Sequence, residues 1–304
     1  DAAARPLHWV YDPKKLNQFI NGKKEIAFLN QNKSPFYSIK TGNVSGYNDV
    51  GQVMFKTLIS TQKKSEILRN FKKNIIKNFG PGSAYWRNLK LRKKYKKIKW
   101  KKPMKGPWIH QNILETIQNI KAKKSISGGT KVNESDGFCA ALPYFLYNNN
   151  DKELKKVIKS VANSKTNETY ALAKLKIIDL ANSGDKNSIQ TFVKKYGKNR
   201  YFREVVNNIK KVIKLKKHNH IKVVKKFGKA CSYPGTFMSS IHAMITSKNY
   251  KSALIKTIKA GGCNCSRANF VGAYFAALNG IKGIPHSWIK KTIPAKKIIN
   301  VQSS

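Results

Sequence analysis

The stretch from Thr169 to Ala181, TYALAKLKIIDLA, decides the fold class. Its apolar residues fall on more than one side of a helical projection, which is typical of a helix buried at the centre of a domain. The flanking segments carry the narrower spacing of amphipathic helices, with apolar residues at i, i+3, i+4 and i+7. Period-2 patterns, which predict half-buried strands, are scarce. The sequence therefore predicts an all-α protein.

Four amphipathic stripes extend this pattern outward from the central segment. Gly197 and Gly280 follow two of them and predict helix C-termini. Neither an internal repeat nor a long linker interrupts the chain, so we expect one domain over residues 1–304. The members of the stripes are Leu154, Val157, Ile158 and Val161; Ile189, Phe192, Val193 and Tyr196; Val205, Val206, Ile209, Val212 and Ile213; and Phe270, Ala273, Tyr274 and Ala277.

The charge of the chain is its unusual property. Sixty-one Lys and Arg residues oppose 14 Asp and Glu residues, which gives a formal net charge of +47. The last acid is Glu204, so no carboxylate side chain lies between Val205 and Ser304. A biased genome would explain Lys over Arg, but not so few acids. A compact protein with this charge repels itself unless a polyanion neutralises it, and nucleic acid releases counterions as it does so. We expect RNA as the partner.

Two segments concentrate the positive charge. Gly80 to Trp108 breaks the helical pattern with a Gly-Pro-Gly sequence and two prolines, which predicts a basic inserted loop at about 87–106. Tyr95 and Trp100 could stack on exposed bases there or anchor the loop to the body of the protein. A solvated helix face is the ordinary alternative for such charge runs. The predicted phosphate contacts are Lys90, Arg92, Lys93, Lys94, Lys96, Lys97, Lys99, Lys101 and Lys102 in the loop, and Lys210, Lys211, Lys214, Lys216 and Lys217 in the second run.

The apolar segments and the cysteines indicate whether the chain is a membrane protein, a disulfide-rich protein or a zinc protein. No window approaches the roughly 20 apolar residues that span a bilayer, so we expect no membrane insertion. The wide spread of Cys139, Cys231, Cys263 and Cys265 is unlike a disulfide framework and favours a reducing compartment. Cys263 and Cys265 could form a zinc site with Cys231 and His242. Structural zinc sites usually pair Cys-x-x-Cys units, so buried free thiols are the favoured interpretation.

Five motifs occur in an order that is hard to obtain by chance, although each is weak alone. They are DAAARPLHWVYD at 1–12, SGYND at 45–49, KGPWIH at 105–110, ESDGF at 134–138 and AGGCNCSRA at 260–268. In these motifs the chain resembles the ADP-ribosylglycohydrolases, in the branch of the jellyfish J1-crystallins and selenoprotein J. The resemblance spans essentially the whole chain. It implies a single orthogonal multi-helix bundle, in agreement with the helical periodicity.

The resemblance also implies a chemistry, which is hydrolysis of an ADP-ribose linkage at two magnesium ions. In the family, carboxylates of the early acidic loop and of a late Gly-Gly-Asp-x-Asp-Thr segment hold these ions. Here the early loop keeps Asp49 beside Asn48, and the two late positions are Cys263 and Cys265. Two magnesium ions need several oxygen ligands, and thiols are poor ones. We expect four degenerate metal-site positions, no cofactor, no bound metal and no catalysis.

Other polar residues in these motifs have less specific interpretations. His8 and His110 stand beside tryptophans, and we interpret them as packing and hydrogen-bonding residues. No histidine shows a recognisable pairing with a nucleophile. Glu134 and Asp136 could be remnants of a pocket wall, although acids in so basic a protein are more often paired with lysines.

These observations lead to one functional hypothesis and two alternatives. The leading hypothesis is a non-catalytic, structural RNA-binding component of a large ribonucleoprotein, specifically a mitochondrial ribosome, with ribosomal RNA and neighbouring proteins as partners. It implies location in the mitochondrial matrix. The first alternative is a structural protein bound to an acidic protein lattice such as axonemal microtubules, with a cytoskeletal or ciliary location. The second is a surviving ADP-ribose-linkage hydrolase with an altered metal site.

Overall fold

The computed structural model describes residues 1–95, 103–295 and 298, without the side chains of residues 93–95. Helices dominate this part of the chain, which confirms the all-α prediction. The two strands, β1 (Tyr37–Ser38) and β2 (Met104–Lys105), pair in parallel. The helices are α1 Pro13–Ile20, α2 Gly46–Ser60, α3 Ile67–Phe79, α4 Ala84–Tyr95, α5 Gln111–Lys121, α6 Asp136–Tyr147, α7 Asp151–Val161, α8 Lys165–Asn182, α9 Ser188–Tyr196, α10 Arg203–Lys214, α11 His220–Phe227, α12 Gly235–Ile245, α13 Tyr250–Lys259, α14 Asn264–Asn279 and α15 His286–Lys291.

The segments predicted from periodicity are helical. The stretch from Thr169 to Ala181 lies within α8, and every residue from Asn167 to Leu175 is buried, as expected of a central helix. The four amphipathic stripes correspond to α7, α9, α10 and α14. Gly197 and Gly280 follow the last residues of α9 and α14, and Gly280 has a φ of 64°, a left-handed conformation that favours glycine.

Side-chain caps fix two of the helix starts. The Asp12 carboxylate accepts hydrogen bonds from the backbone of Lys14 and Lys15, and Pro13 occupies the first position of α1. Asn249 and Ser252 form a reciprocal capping box at the start of α13. None of the helices among the described residues is long and apolar enough to span a bilayer.

The contacts divide the chain into two compact units. Unit 1 comprises Asp1–Pro35, Ile39–Val44 and Lys176–Ser304, and unit 2 comprises Phe36–Ser38 and Ser45–Leu175. The division falls within α8. The expectation of a single domain over residues 1–304 stays a prediction.

Close packing of α2 against α6 organises unit 2. A Cβ atom on Gly51 would lie 2.8 Å from the Cys139 carbonyl oxygen, so only glycine allows this approach of the two helices. Helix α6 also packs on α7, where a Cβ atom on Gly137 would meet Ile158 at 2.9 Å. This packing positions the start of α2, which carries Asn48 and Asp49.

Helix α14 lies at the core of unit 1, where it packs on α12 and α13. The rings of Phe237 on α12 and Phe270 on α14 stack with centroids 5.9 Å apart, and both side chains are fully buried. Helices α10 and α11 pack on the same α12. The loop before α14 carries Cys263, and Gly261 and Gly262 in that loop have φ of 68° and 66°.

The predicted basic loop is wrong over its first part. Residues 87–95 belong to α4, where we expected loop. Leu89 and Tyr85 anchor this helix because both are buried, and the following Lys, Leu and Arg residues favour helix. The remainder of the run, residues 96–102, lies outside the described residues.

Candidate functional site

Asp49, the carboxylate that survives in the early loop, is engaged by two side-chain donors. The Tyr85 hydroxyl donates a hydrogen bond of 2.5 Å to Oδ2 of Asp49, and the Gln52 amide donates one of 3.1 Å to Oδ1. The same amide nitrogen lies 3.2 Å from Oδ1 of Asn48. Burial raises the pKa of Asp49 to about 6, while the hydrogen bond from Tyr85 opposes that shift. Each carboxylate oxygen of Asp49 thus accepts a hydrogen bond from another side chain of unit 2.

A second acidic residue of unit 2 belongs to a hydrogen-bond network with His110. Asp136 is fully buried, and its Oδ1 lies 2.9 Å from Nδ1 of His110. Its Oδ2 accepts a hydrogen bond of 3.0 Å from the Asn112 amide. Glu134 accepts a hydrogen bond of 3.0 Å from the hydroxyl of Tyr47, whose ring lies against His110 with centroids 3.9 Å apart. The expectation of pairing with lysine is wrong for Asp136, which pairs with His110 and Asn112, whereas the packing and hydrogen-bonding role of His110 is confirmed.

Lys174 is a fully buried amine in the same unit. Its Nζ donates a hydrogen bond of 3.1 Å to the Ser135 hydroxyl and lies 4.8 Å from the centroid of the Phe138 ring. Burial lowers the pKa of Lys174 to about 7. The amine therefore titrates near neutral pH, a property that the apolar pattern of α8 did not reveal.

The late degenerate positions belong to unit 1, where Cys263 lies in a cluster of polar groups. Its Sγ is 3.4 Å from Nε2 of His8 and is hydrogen-bonded to the thiol of Cys231. Cys263 and Cys265 are both fully buried, and all four cysteines are free thiols. The favoured interpretation as buried free thiols is confirmed for these two residues. His8 stacks on Trp9, as expected of a packing residue, but its contact with a thiol was not predicted.

His242, the nitrogen ligand considered for a zinc site, has other partners. Its Nδ1 lies 3.0 Å from Nδ1 of His220, and its Nε2 lies 3.1 Å from the Leu215 carbonyl oxygen. Nε2 of His242 therefore donates to Leu215, and its Nδ1 accepts the proton of His220. Burial lowers the pKa of both histidines. The pair ties α11 to α12.

Arg267 is a buried charge that sequence reasoning missed. Its side chain is fully buried and donates one hydrogen bond, to the Gly261 carbonyl oxygen. Its Nε and Nη1 have no hydrogen-bond partner among the described residues. The guanidinium interacts electrostatically with Cys263, Cys231 and Tyr11, the first-named most strongly. A positive charge therefore lies beside the thiols of the late degenerate positions.

The two halves of the family's metal site do not fit magnesium here. The described residues contain no group of three or more His, Cys, Asp and Glu side chains able to hold a metal ion. Magnesium requires several oxygen ligands in near-octahedral geometry. Asp49 is the one carboxylate among the four positions, and the late positions offer thiols, which magnesium binds poorly.

The predicted phosphate contacts differ in where they lie. Lys90 is exposed on α4, but Arg92 lies over the Trp108 ring, 3.9 Å from its centroid, so it serves packing within unit 2. Lys93, Lys94 and Tyr95 belong to the end of α4, whose side chains the structure does not describe. Outside the described residues are Lys96, Lys97, Lys99, Trp100, Lys101 and Lys102.

The lysines of the second basic run are all exposed. Helix α10 buries Val205, Val206, Ile209 and Val212, and its lysines lie on the opposite side. Lys222, Lys225 and Lys226 of α11 add to these lysines and are also exposed. We call this set the α10–α11 basic surface: Lys210, Lys211, Lys214, Lys216, Lys217, Lys222, Lys225 and Lys226.

Comparison with known proteins agrees with the motifs and the fold. Two relatives from the jellyfish Tripedalia cystophora, Crystallin J1A and Crystallin J1B, are 27% and 25% identical to this chain. The matches cover 98% and 100% of this chain and 90% and 91% of the crystallins. A solved structure described as an ADP-ribosylglycohydrolase-related protein complex aligns with a TM-score of 0.64 at 10% identity, over 99% of this chain and 90% of that one.

The family model described as ADP-ribosylglycohydrolase matches residues 1–301, nearly the entire sequence. The order of the five motifs and the helical architecture lead to the same assignment. The chain belongs to the ADP-ribosylglycohydrolase family.

Proposed function

We propose that this protein is a non-catalytic member of its family that serves as a structural RNA-binding component of a large ribonucleoprotein. The observation that carries the proposal is the α10–α11 basic surface, which presents eight exposed lysines within a region free of acids from Val205 onward. Phosphates are the natural counter-charge for such a surface because each contact releases bound counterions.

The state of the ancestral metal positions supports the loss of catalysis. A magnesium-dependent hydrolase needs several carboxylates around the two ions. Of the four ancestral positions only Asp49 offers a carboxylate, while Cys263 offers a thiol that interacts with His8 and Cys231. One carboxylate beside an amide and two thiols does not supply the oxygen ligands that two magnesium ions need.

The charge distribution supports RNA over a small anionic ligand. A nucleotide carries a few negative charges, whereas the formal net charge of this chain is +47. Only an extended polyanion, or an assembly rich in one, offsets self-repulsion on that scale. Proteins that are embedded in ribosomal RNA are surrounded by such a polyanion. A mitochondrial ribosome is our specific proposal for the assembly.

A direct test measures RNA binding as a function of salt. We expect the purified protein to bind a structured RNA hairpin with an affinity that falls steeply with salt, by about 0.7–0.9 units of log-log slope per phosphate neutralised. Exchange of the RNA sequence at constant length should change the affinity little, because phosphate contacts carry no sequence information. Absence of salt-sensitive RNA binding would contradict the proposal.

The same preparation tests the two alternatives. Incubation with magnesium and ADP-ribosylated substrates should give no hydrolysis, and turnover would favour a surviving hydrolase. Co-sedimentation with microtubules should be abolished by excess competing RNA. Microtubule binding that persists in the presence of RNA would favour the acidic protein lattice. The crystallin names of the relatives agree with a structural role of this kind.

A further inference from the structure

Three chain segments of unit 1 meet around Cys263. The backbone of Gly262 pairs with Val10, and the Cys263 amide donates a hydrogen bond of 2.8 Å to the Lys229 carbonyl oxygen. A Cβ atom on Gly262 would lie 2.4 Å from that same oxygen, so glycine is required for this approach. The backbone thereby fixes Cys231, two residues beyond Lys229, beside Cys263.

The two thiols differ in their access to solvent. Cys263 is fully buried, whereas Cys231 is partly exposed and accepts a hydrogen bond of 3.3 Å from Nε1 of Trp9. The thiols are hydrogen-bonded to each other. This is the arrangement of an accessible thiol that reacts first and a buried thiol that resolves the product.

Positive and hydrogen-bonding groups surround the buried thiol. His8 contacts Cys263 at 3.4 Å, and the buried guanidinium of Arg267 interacts electrostatically with both cysteines. Burial alone would raise the pKa of Cys263, but the hydrogen bond with Cys231 and the interaction with His8 hold it well below its ordinary value. Thiolates are the nucleophiles of disulfide exchange, so this environment favours Cys263 as the thiolate that attacks in the second, resolving step.

We propose that Cys231 and Cys263 form a redox-active dithiol that reacts with small-molecule disulfides of the glutathione class. The Cys231 thiol loses its proton and attacks one sulfur of the disulfide, which forms a mixed disulfide and releases one glutathione thiolate that takes up a proton. The Cys263 thiolate then attacks Cys231 and expels the second glutathione thiolate. The protein loses two protons and two electrons, and glutathione disulfide gains them as two molecules of glutathione.

The other cysteines provide internal controls. Cys139 is buried in unit 2, and desolvation raises the pKa of its thiol, so it should stay inert. Cys263 and Cys265 are equally buried, but Cys263 is hydrogen-bonded to Cys231, so we expect Cys263 to resolve the mixed disulfide. The proposal does not rest on RNA binding, since it is argued from the contacts of Cys231 and Cys263 with Trp9, His8 and Arg267.

The test treats the folded full-length chain with oxidised glutathione and follows intact mass and peptide maps. We expect loss of two hydrogen masses and a Cys231–Cys263 linkage, with Cys139 unmodified. Cys263→Ser should retain one glutathione on Cys231, Cys231→Ser should react at least tenfold more slowly, and Cys139→Ser should match the original chain.

Further outcomes distinguish disulfide exchange between the two thiols from simple reaction of an accessible cysteine. His8→Gln should slow the second step and let the mixed disulfide on Cys231 accumulate. The proposal is overturned if Cys231→Ser reacts as fast as the original chain. It is also overturned if a linkage forms only in denaturant, or if Cys263→Ser still forms a disulfide between two protein thiols.

Discussion

The hydroxyl of Tyr85 on α4 donates a hydrogen bond of 2.5 Å to the carboxylate of Asp49 on α2. Burial raises the pKa of Asp49 to about 6, and this hydrogen bond opposes the shift. Tyr85→Phe should therefore raise the pKa of Asp49 further, which a carboxyl carbon NMR titration would measure. The phenylalanine keeps the ring that packs on Phe79, so the helix should stay in place. An unchanged pKa would contradict the assigned contact.

The same raised pKa affects stability with a definite sign. The folded state holds the Asp49 proton more tightly than the unfolded state, whose pKa is near 3.8. The contribution of Asp49 to the free energy of unfolding therefore falls as pH rises from about 4 to about 6, and is constant above that range. Asp49→Asn should remove this part of the pH dependence in chemical denaturation. A slope that is unchanged between pH 4 and 6 would show that Asp49 does not titrate there.

Lys174 is a buried amine whose desolvation lowers the free energy of unfolding. Its folded pKa is about 7, against 10.5 for an exposed lysine, so the unfolded state binds more protons between these values. The free energy of unfolding should rise with pH through this window. Lys174→Met should flatten the rise and stabilise the protein by roughly 2–4 kcal/mol at pH 7.

Lys165→Met is the matched control for Lys174, since Lys165 lies exposed on the same helix. It should leave the stability and its pH profile nearly unchanged. Equal effects of the two substitutions would contradict the buried, neutralised state of Lys174.

The His220–His242 pair predicts acid sensitivity. Burial lowers the pKa of His220 well below 6.5, so the unfolded state binds more protons as pH falls below that value. The free energy of unfolding attributable to the pair should therefore decrease with acidification. The free energy of unfolding of the original chain and of His220→Gln should be measured from pH 7.5 to 5. The difference between the two curves separates the pH dependence due to the histidine pair from that due to Asp49. His286→Gln, at an exposed histidine, should reproduce the original slope.

The α10–α11 basic surface makes a local prediction about RNA. Replacement of Lys210, Lys211 and Lys214 by Gln should flatten the log-log salt slope by about 2 units, as three lost phosphate contacts require. The helix should persist, because its buried face is unaltered. Equal replacement of Lys63, Lys64 and Lys73 removes the same charge from exposed positions of unit 2. If both triple variants lost the same slope, the net charge rather than this surface would govern binding.

The helices could be predicted because each depends on a local pattern. The stretch from Thr169 to Ala181 and the stripes of α7, α9, α10 and α14 had the right period and were found as helices. Residues 87–95 were assigned to a loop because the prolines farther along the chain outweighed the helix-forming Lys, Leu and Arg residues. The Gly-Pro-Gly sequence at 80–82 does lie in the turn between α3 and α4, as its composition indicates. The prediction was wrong in extending the break in helical structure beyond this turn.

The contacts of the candidate site could not be predicted, since they join residues far apart in sequence. Tyr85 lies 36 positions from Asp49, and His8 lies 255 positions from Cys263. Each of these residues has an ordinary role when it is viewed alone. Arg267 had a weak signal, a charged residue in an otherwise small and apolar stretch that opens a buried helix. That signal would have justified its inclusion among the site residues.

The most direct test of RNA association is the sedimentation of the native protein from its source, before and after ribonuclease treatment. The account predicts that the protein sediments in a large particle at low salt and shifts to a slow-sedimenting form once the RNA is digested. A parallel gradient without ribonuclease, at high salt, should release it as well. Sedimentation that ribonuclease leaves unchanged would contradict RNA association and favour attachment to an acidic protein lattice.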